Sequence, residues 1–167
     1  MIRKKIAAAA AAWVCAFPSY AIDALALEVG YGEDRTSILR FAVVERWNRE
    51  PRPLGRKWQI TGYWDFSAAL WDNAVESTAD LGITPVFRFE RGALYLEAAI
   101  GLHLVQTRIS ASRVFSTALQ FGDHVGIGWH SGRWDFAARL QHISNAGIDH
   151  PNPGINFALL RAQYELN

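Results

Sequence analysis

From residue 22 onward, the apolar residues of this chain recur at every second position in eight separate runs, and no segment carries them at helical spacing. Successive side chains of a β-strand point to opposite faces, so each run reads as a strand with one apolar face. The runs cover residues 25–31, 39–43, 58–66, 81–89, 94–104, 119–129, 134–144 and 156–166. Several reach about 9 to 11 residues, the length of a tilted strand that crosses a bilayer, whereas ordinary globular strands average about five or six. The connections alternate as well. Residues 90–93 and 130–133 make tight turns, whereas 68–78, 106–118 and 145–155 read as long loops. That asymmetry is typical of outer-membrane barrels, with short periplasmic turns and longer outer loops.

A soluble eight-stranded barrel would alternate in the same way but would put the apolar rows inside and charge outside. The second face of these runs argues otherwise. It carries Glu97, Gly101 and His103 in the fifth run, Gln120, His124, Gly126 and Gly128 in the sixth, and Asp135, Arg139 and Gln141 in the seventh. Such residues suit a packed interior in which polar side chains partner one another, because an eight-stranded barrel is only wide enough for side chains to fill. The predicted fold is therefore all-β, an eight-stranded antiparallel transmembrane β-barrel with a lipid-facing apolar exterior. A pore would need a lumen that Gln120, His124, Arg139 and Gln141 occupy.

The N-terminus agrees with that destination. Arg3, Lys4 and Lys5 precede an alanine-rich apolar stretch, and Ser19-Tyr20-Ala21 ends it with small residues. Residues 1–21 read as a signal peptide, which leaves one barrel domain over residues 22–167. The stretch is shorter than the roughly 20 residues of a spanning helix. The single cysteine, Cys15, falls within the leader, so no disulfide or thiolate metal site is expected in the remainder. A formal net charge of +1 supplies no field for nucleic acid, and none is expected as a partner.

One row breaks the pattern. Trp134, Phe136, Ala138 and Leu140 continue as His142 and Ser144, and the last row begins in phase with Asn156. If the two strands are antiparallel neighbours, His142, Ser144 and Asn156 meet on the bilayer side of the wall. Serine needs an adjacent base to act as a nucleophile, and neutral imidazole supplies one near physiological pH. Counting strands outward from the periplasm sets this cluster at the outer leaflet. The substrate nominated by position is lipid A of lipopolysaccharide, or a phospholipid strayed into that leaflet.

The segment His142-Ile143-Ser144-Asn145-Ala146-Gly147, followed by Pro151-Asn152-Pro153-Gly154-Ile155, resembles the signature of the PagL lipid A 3-O-deacylases. Thr61-Gly62-Tyr63-Trp64-Asp65 and Thr84-Pro85-Val86-Phe87 resemble that family too. The resemblance implies an eight-stranded outer-membrane barrel that hydrolyses the ester of the 3-hydroxyacyl chain at position 3 of lipid A, with Ser144 as nucleophile and His142 as general base. It also exposes a departure, because the family places a glutamate twelve residues after the serine and this chain has Asn156. Asparagine can fix the imidazole tautomer but lacks the full charge that stabilises imidazolium. Asp149 is the alternative acid, should its loop fold back.

For the oxyanion the candidates are the backbone amides of Asn145, Ala146 and Gly147 with the Asn152 side chain. No cofactor or metal is expected, since no metal-binding spacing occurs. His103 and His124 read as hydrogen-bonded interior residues, and Trp58, Trp64, Trp71, Trp129 and Trp134 as interfacial girdles. Lys57, Arg108 and Arg113 read as single solvated charges. The expected partners are the lipid A substrate and outer-membrane lipids, with a homodimer left open. A catalytically silent barrel with a structural or adhesive role stands as the rival reading.

Overall fold

The computed structural model describes residues 22–47, 51–74, 76–106, 108–110 and 113–166; the leader with Cys15, and the side chain of Arg108, lie outside them. Eight long strands build the molecule: β1 (Ala24–Gly32), β2 (Ser37–Arg46), β3 (Trp58–Asp72), β4 (Ser77–Arg91), β5 (Leu94–Val105), β6 (Leu119–Ser131), β7 (Trp134–Ser144) and β8 (Ile155–Glu165). Each pairs antiparallel with its successor, and β8 pairs with β1, which closes the sheet into a barrel without free edges.

β3 and β4 each run for 15 residues and are longer than the alternating runs at 58–66 and 81–89. Their inward residues Ser67, Ala69 and Trp71, and Thr78 and Asp80, continue the strand period with small, aromatic or polar side chains. A reading of apolar alternation alone therefore stops too early. The long loop expected at 68–78 is in fact the connection 73–76, tied by the Glu76 amide donating to Asn73 Oδ1 at 2.9 Å. At the opposite end the two hairpins turn on Gly92 and Gly132, whose φ of 62° and 64° suit the first position of a primed two-residue turn. That end also carries Trp47 and residues 51–57, with a short strand Arg52–Leu54 paired to the start of β3.

The outer wall is apolar: Leu27, Leu39, Ile100, Val125, Leu140 and Leu160 are all exposed. Trp58, Trp64, Trp129 and Trp134 are exposed on it too, as a girdle requires. Trp71 is not. It is fully buried, turned inward by the strand period, and packs against Phe157 with ring centroids 5.1 Å apart.

Ion pairs fill the middle of the barrel. Glu28 Oε2 accepts from Arg40 at 2.9 Å, Glu28 Oε1 from Arg161 at 2.7 Å, and the same carboxylate pairs with Arg139. Arg88 donates to Glu97 at 3.1 Å and to Asp135 at 2.7 Å, while its guanidinium lies 4.1 Å from the centroid of Tyr95. His103 bonds Asp80 at 2.8 Å, and His124 is buried near Glu97. The inward glycines of β6 make room for this layer: a Cβ on Gly128 would lie 2.3 Å from the Tyr95 ring. Desolvated charges of this kind persist only when paired, and here Glu28 serves three guanidinium groups and Glu97 two. No open lumen runs through such a layer.

Above it, at the end where β5 leads to β6 and β7 to β8, an apolar plug replaces the charges. Trp71, Phe115, Ile143, Ile155 and Phe157 are among its members. Ile143 and Ile155 are inward neighbours of His142, Ser144 and Asn156, so the plug fixes from within the strand ends that carry the outward cluster.

Candidate active site on the outer wall

His142 and Asn156 are directly paired across β7 and β8, and Asn156 Oδ1 lies 2.8 Å from His142 Nδ1. Ser144 ends β7 on the same face, and the two residues sit side by side because residues two apart share a face. The Ser144 hydroxyl accepts from the Ala146 amide at 3.5 Å. Among the described residues no hydrogen bond joins that hydroxyl to the imidazole, whose Nδ1 edge is the one engaged.

The loop after Ser144 is organised by Asn145, which is buried although the loop around it is exposed. Its backbone amide donates to Asn152 Oδ1 at 3.1 Å, and its side-chain amide donates to Ser116 Oγ at 3.0 Å and to the Asp149 carbonyl at 2.8 Å. Its Oδ1 accepts from the Gly147 amide at 2.9 Å. Two of the candidate oxyanion donors, the amides of Asn145 and Gly147, are therefore spent inside the loop. Ala146 (φ 56°) and Gly147 (φ 77°) turn the chain through the left-handed region. Because Asn152 uses its oxygen on Asn145, its Nδ2 group remains to donate elsewhere.

Four residues near the cluster have a place there that the reading of the sequence did not assign them. Gly154 has φ +59°, and a Cβ there would sit 2.8 Å from His142 Cε1 and 3.3 Å from Nε2, so only glycine leaves room for the imidazole. Asp123, paired with His142 across β6 and β7, puts an exposed carboxylate on the apolar face beside it. The alternation could have revealed Asp123, because it interrupts the row from Leu119 to Trp129. Glu33 accepts from Asn156 Nδ2 at 3.1 Å and from the Asn156 backbone amide at 3.4 Å. Arg113, read as a solvated charge, is instead half-buried; it pairs with Asp34 at 2.8 Å and Glu33 at 3.3 Å and donates to the Gly154 carbonyl.

Neither Glu33 nor Arg113 had a local signal. The position of Glu33 follows from closure, since Gly32 pairs with Phe157 and the next residue then falls opposite Asn156, whereas Arg113 reaches Glu33 from the connection between β5 and β6. Asp149, the alternative acid, bonds the amide of its own neighbour His150 at 2.8 Å and stays in its loop. Among the described residues no three metal-ligating side chains converge.

A closed barrel of eight strands, apolar outside and ion-paired inside, is an integral outer-membrane β-barrel protein by architecture. A designed transmembrane β-barrel shares that fold with a TM-score of 0.56 over 87% of this chain and 96% of its own, at 9% identity. The family model described as "Lipid A 3-O-deacylase (PagL)" matches residues 39–165, and the chain belongs to that family. The crystal structure of the outer membrane enzyme PagL superimposes with a TM-score of 0.76 at 25% identity, covering 84% of this chain and 98% of that one. Among curated relatives, lipid A deacylase PagL of Bordetella bronchiseptica is 39% identical over 48% of this chain, and that of Pseudomonas aeruginosa 30% identical over 58%. The chain spans about half the length of these relatives, 47% and 60% respectively.

Proposed function

We propose that this protein hydrolyses the ester holding the 3-hydroxyacyl chain at position 3 of lipid A, working from the outer leaflet of the outer membrane. The observation that carries the proposal is the His142–Asn156 hydrogen bond on the bilayer side of the wall, with Ser144 on the same row. A serine and a histidine prepared for acyl transfer on that surface are reached by a lipid diffusing in the leaflet, and by no solute in the barrel interior.

The chemistry follows from the hydrogen bonds. With Nδ1–H donating to Asn156 Oδ1, the lone pair of His142 stands on Nε2. The Ser144 hydroxyl turns to Nε2, loses its proton there and attacks the ester carbonyl. The imidazolium then passes that proton to the departing sugar oxygen, leaving an acyl-serine. A water deprotonated by the same nitrogen cleaves the acyl-serine, releases the 3-hydroxy fatty acid and restores Ser144. The Ala146 amide, which makes a long 3.5 Å contact to the Ser144 hydroxyl, and Asn152 Nδ2 are the donors for the oxyanion, with Asn145 and Gly147 shaping the loop that presents them. Asp123, beside His142, offers an acceptor to a hydroxyl of the bound acyl chain.

Expression in lipopolysaccharide-producing cells, followed by mass spectrometry of lipid A, tests the reading. Wild type removes one hydroxyacyl chain, and Ser144→Ala removes none. Unaltered lipid A in cells whose outer membrane holds the folded wild type would refute deacylation and favour the silent barrel.

A further inference from the structure

We infer that the acid missing from position 156 is supplied one residue further out, by Glu33, which acts through the Asn156 amide as a positioning residue for His142. The inference rests on the proposed roles of Ser144 and His142. An ionised carboxylate only accepts hydrogen bonds, so Glu33 Oε1, 3.1 Å away, must face the NH2 group of Asn156. The amide oxygen is thereby committed to the other side, where His142 Nδ1 lies 2.8 Å from it. That oxygen can only accept, which holds the imidazole proton on Nδ1 and keeps Nε2 basic.

Without the carboxylate the amide is free to turn over. Its NH2 group would then donate to Nδ1, move the proton to Nε2 and disable the base. Glu33 also sets a negative charge behind the amide, where it favours the imidazolium formed during attack. A lipid seated over the cluster excludes water and strengthens this interaction.

The geometry separates this role from that of an ordinary surface ion pair. Arg113 approaches Glu33 Oε2 at 3.3 Å and leaves Oε1 to Asn156, while its shorter bond is the one of 2.8 Å to Asp34. The Asn156 backbone amide also donates toward Oε2, at 3.4 Å, so the carboxylate accepts from both donor groups of that residue. The contact joins the turn after β1 to the start of β8, a pairing that barrel closure imposes.

The test uses full-length protein purified from outer membranes, with kcat and KM measured on lipid A in detergent micelles. Glu33→Gln should lower kcat by about 10- to 100-fold, the loss of one charge-assisted hydrogen bond, with KM held within about two-fold. In an Asn156→Glu background, where a carboxylate meets His142 directly, Glu33→Gln should cost nothing. Asp34→Asn, which removes only the Arg113 partner, should leave kcat unchanged. Nitrogen-15 shifts of the His142 ring should report the Nδ1–H tautomer in wild type and a mixture in Glu33→Gln.

Undiminished kcat in Glu33→Gln would overturn the inference. So would an equal loss in both backgrounds, or an equal loss in Asp34→Asn, since either marks a merely structural contact. An inactive wild type, indistinguishable from Ser144→Ala, would overturn the deacylase reading and this inference with it. Activity in wild type that survives Glu33→Gln overturns the inference alone.

Discussion

Gly154→Ala probes how closely the imidazole is held. The added Cβ would stand 2.8 Å from His142 Cε1, about 0.7 Å inside the nearest comfortable carbon–carbon separation of about 3.5 Å. Neighbouring backbone cannot easily yield, because the Gly154 carbonyl is held by Arg113 and Ile155 is locked in the apolar plug. The imidazole must therefore move. A shift of that size along the 2.8 Å bond to Asn156 Oδ1 would carry it beyond hydrogen-bond range. Misplacement of a catalytic group by about 1 Å costs about 100-fold in rate, so kcat/KM on lipid A should fall by about 30- to 100-fold.

The φ of +59° adds strain of about 1 to 2 kcal/mol for alanine, and this must be separated from the clash. Gly92→Ala is the control. Its φ is +62° but nothing lies within 4 Å of the new Cβ, so it should lose similar stability to urea and keep full activity. Wild-type kcat/KM in folded Gly154→Ala protein would refute the idea that the glycine exists to seat His142. An equal loss of activity in Gly92→Ala would do the same.

Two other perturbations address the oxyanion donors and the interior. Asn152→Ala removes the side-chain amide left over by the loop and should lower kcat by about 100- to 1000-fold with little change in KM, read on the same micelles; a loss below about three-fold would move the oxyanion elsewhere. Glu28→Gln leaves Arg40, Arg139 and Arg161 without their shared anion, and urea unfolding of the protein refolded in detergent should show a loss of about 3 to 5 kcal/mol. Unchanged stability there would mean that the three guanidinium groups are solvated rather than paired.

Period-two alternation is a local property, and it carried most of the architecture. Each run from Leu25 to Leu166 is a strand, the rows of Leu, Val and Ile face outward, and Arg139, Gln141 and His124 face inward. It failed along β3 beyond Phe66, where the inward Ala69 and Trp71 are as apolar as the outward Ala68 and Leu70 and the contrast between the two faces is lost. Trp71 looked like a girdle residue because tryptophans favour interfaces, but only its parity along β3 decided its face. Of the site, the shared face of His142 and Ser144 and the cross-strand meeting with Asn156 were legible, because both depend on spacing within a strand and on one hairpin register.

The amino-acid sequence by itself determined the number of strands, the face each turns to lipid and the exposure of the histidine–serine pair on that face. Backbone geometry sets side-chain direction residue by residue, and burial preference does the rest. Only the tertiary structure decided which amides of the 145–154 loop are spent, that Gly154 must yield space to His142, and that Glu33 and Arg113 stand behind Asn156. Glu33 and Asn156 are 123 residues apart and meet because β8 closes on β1. Contacts of that kind follow from the register summed around the whole ring, which no local pattern records.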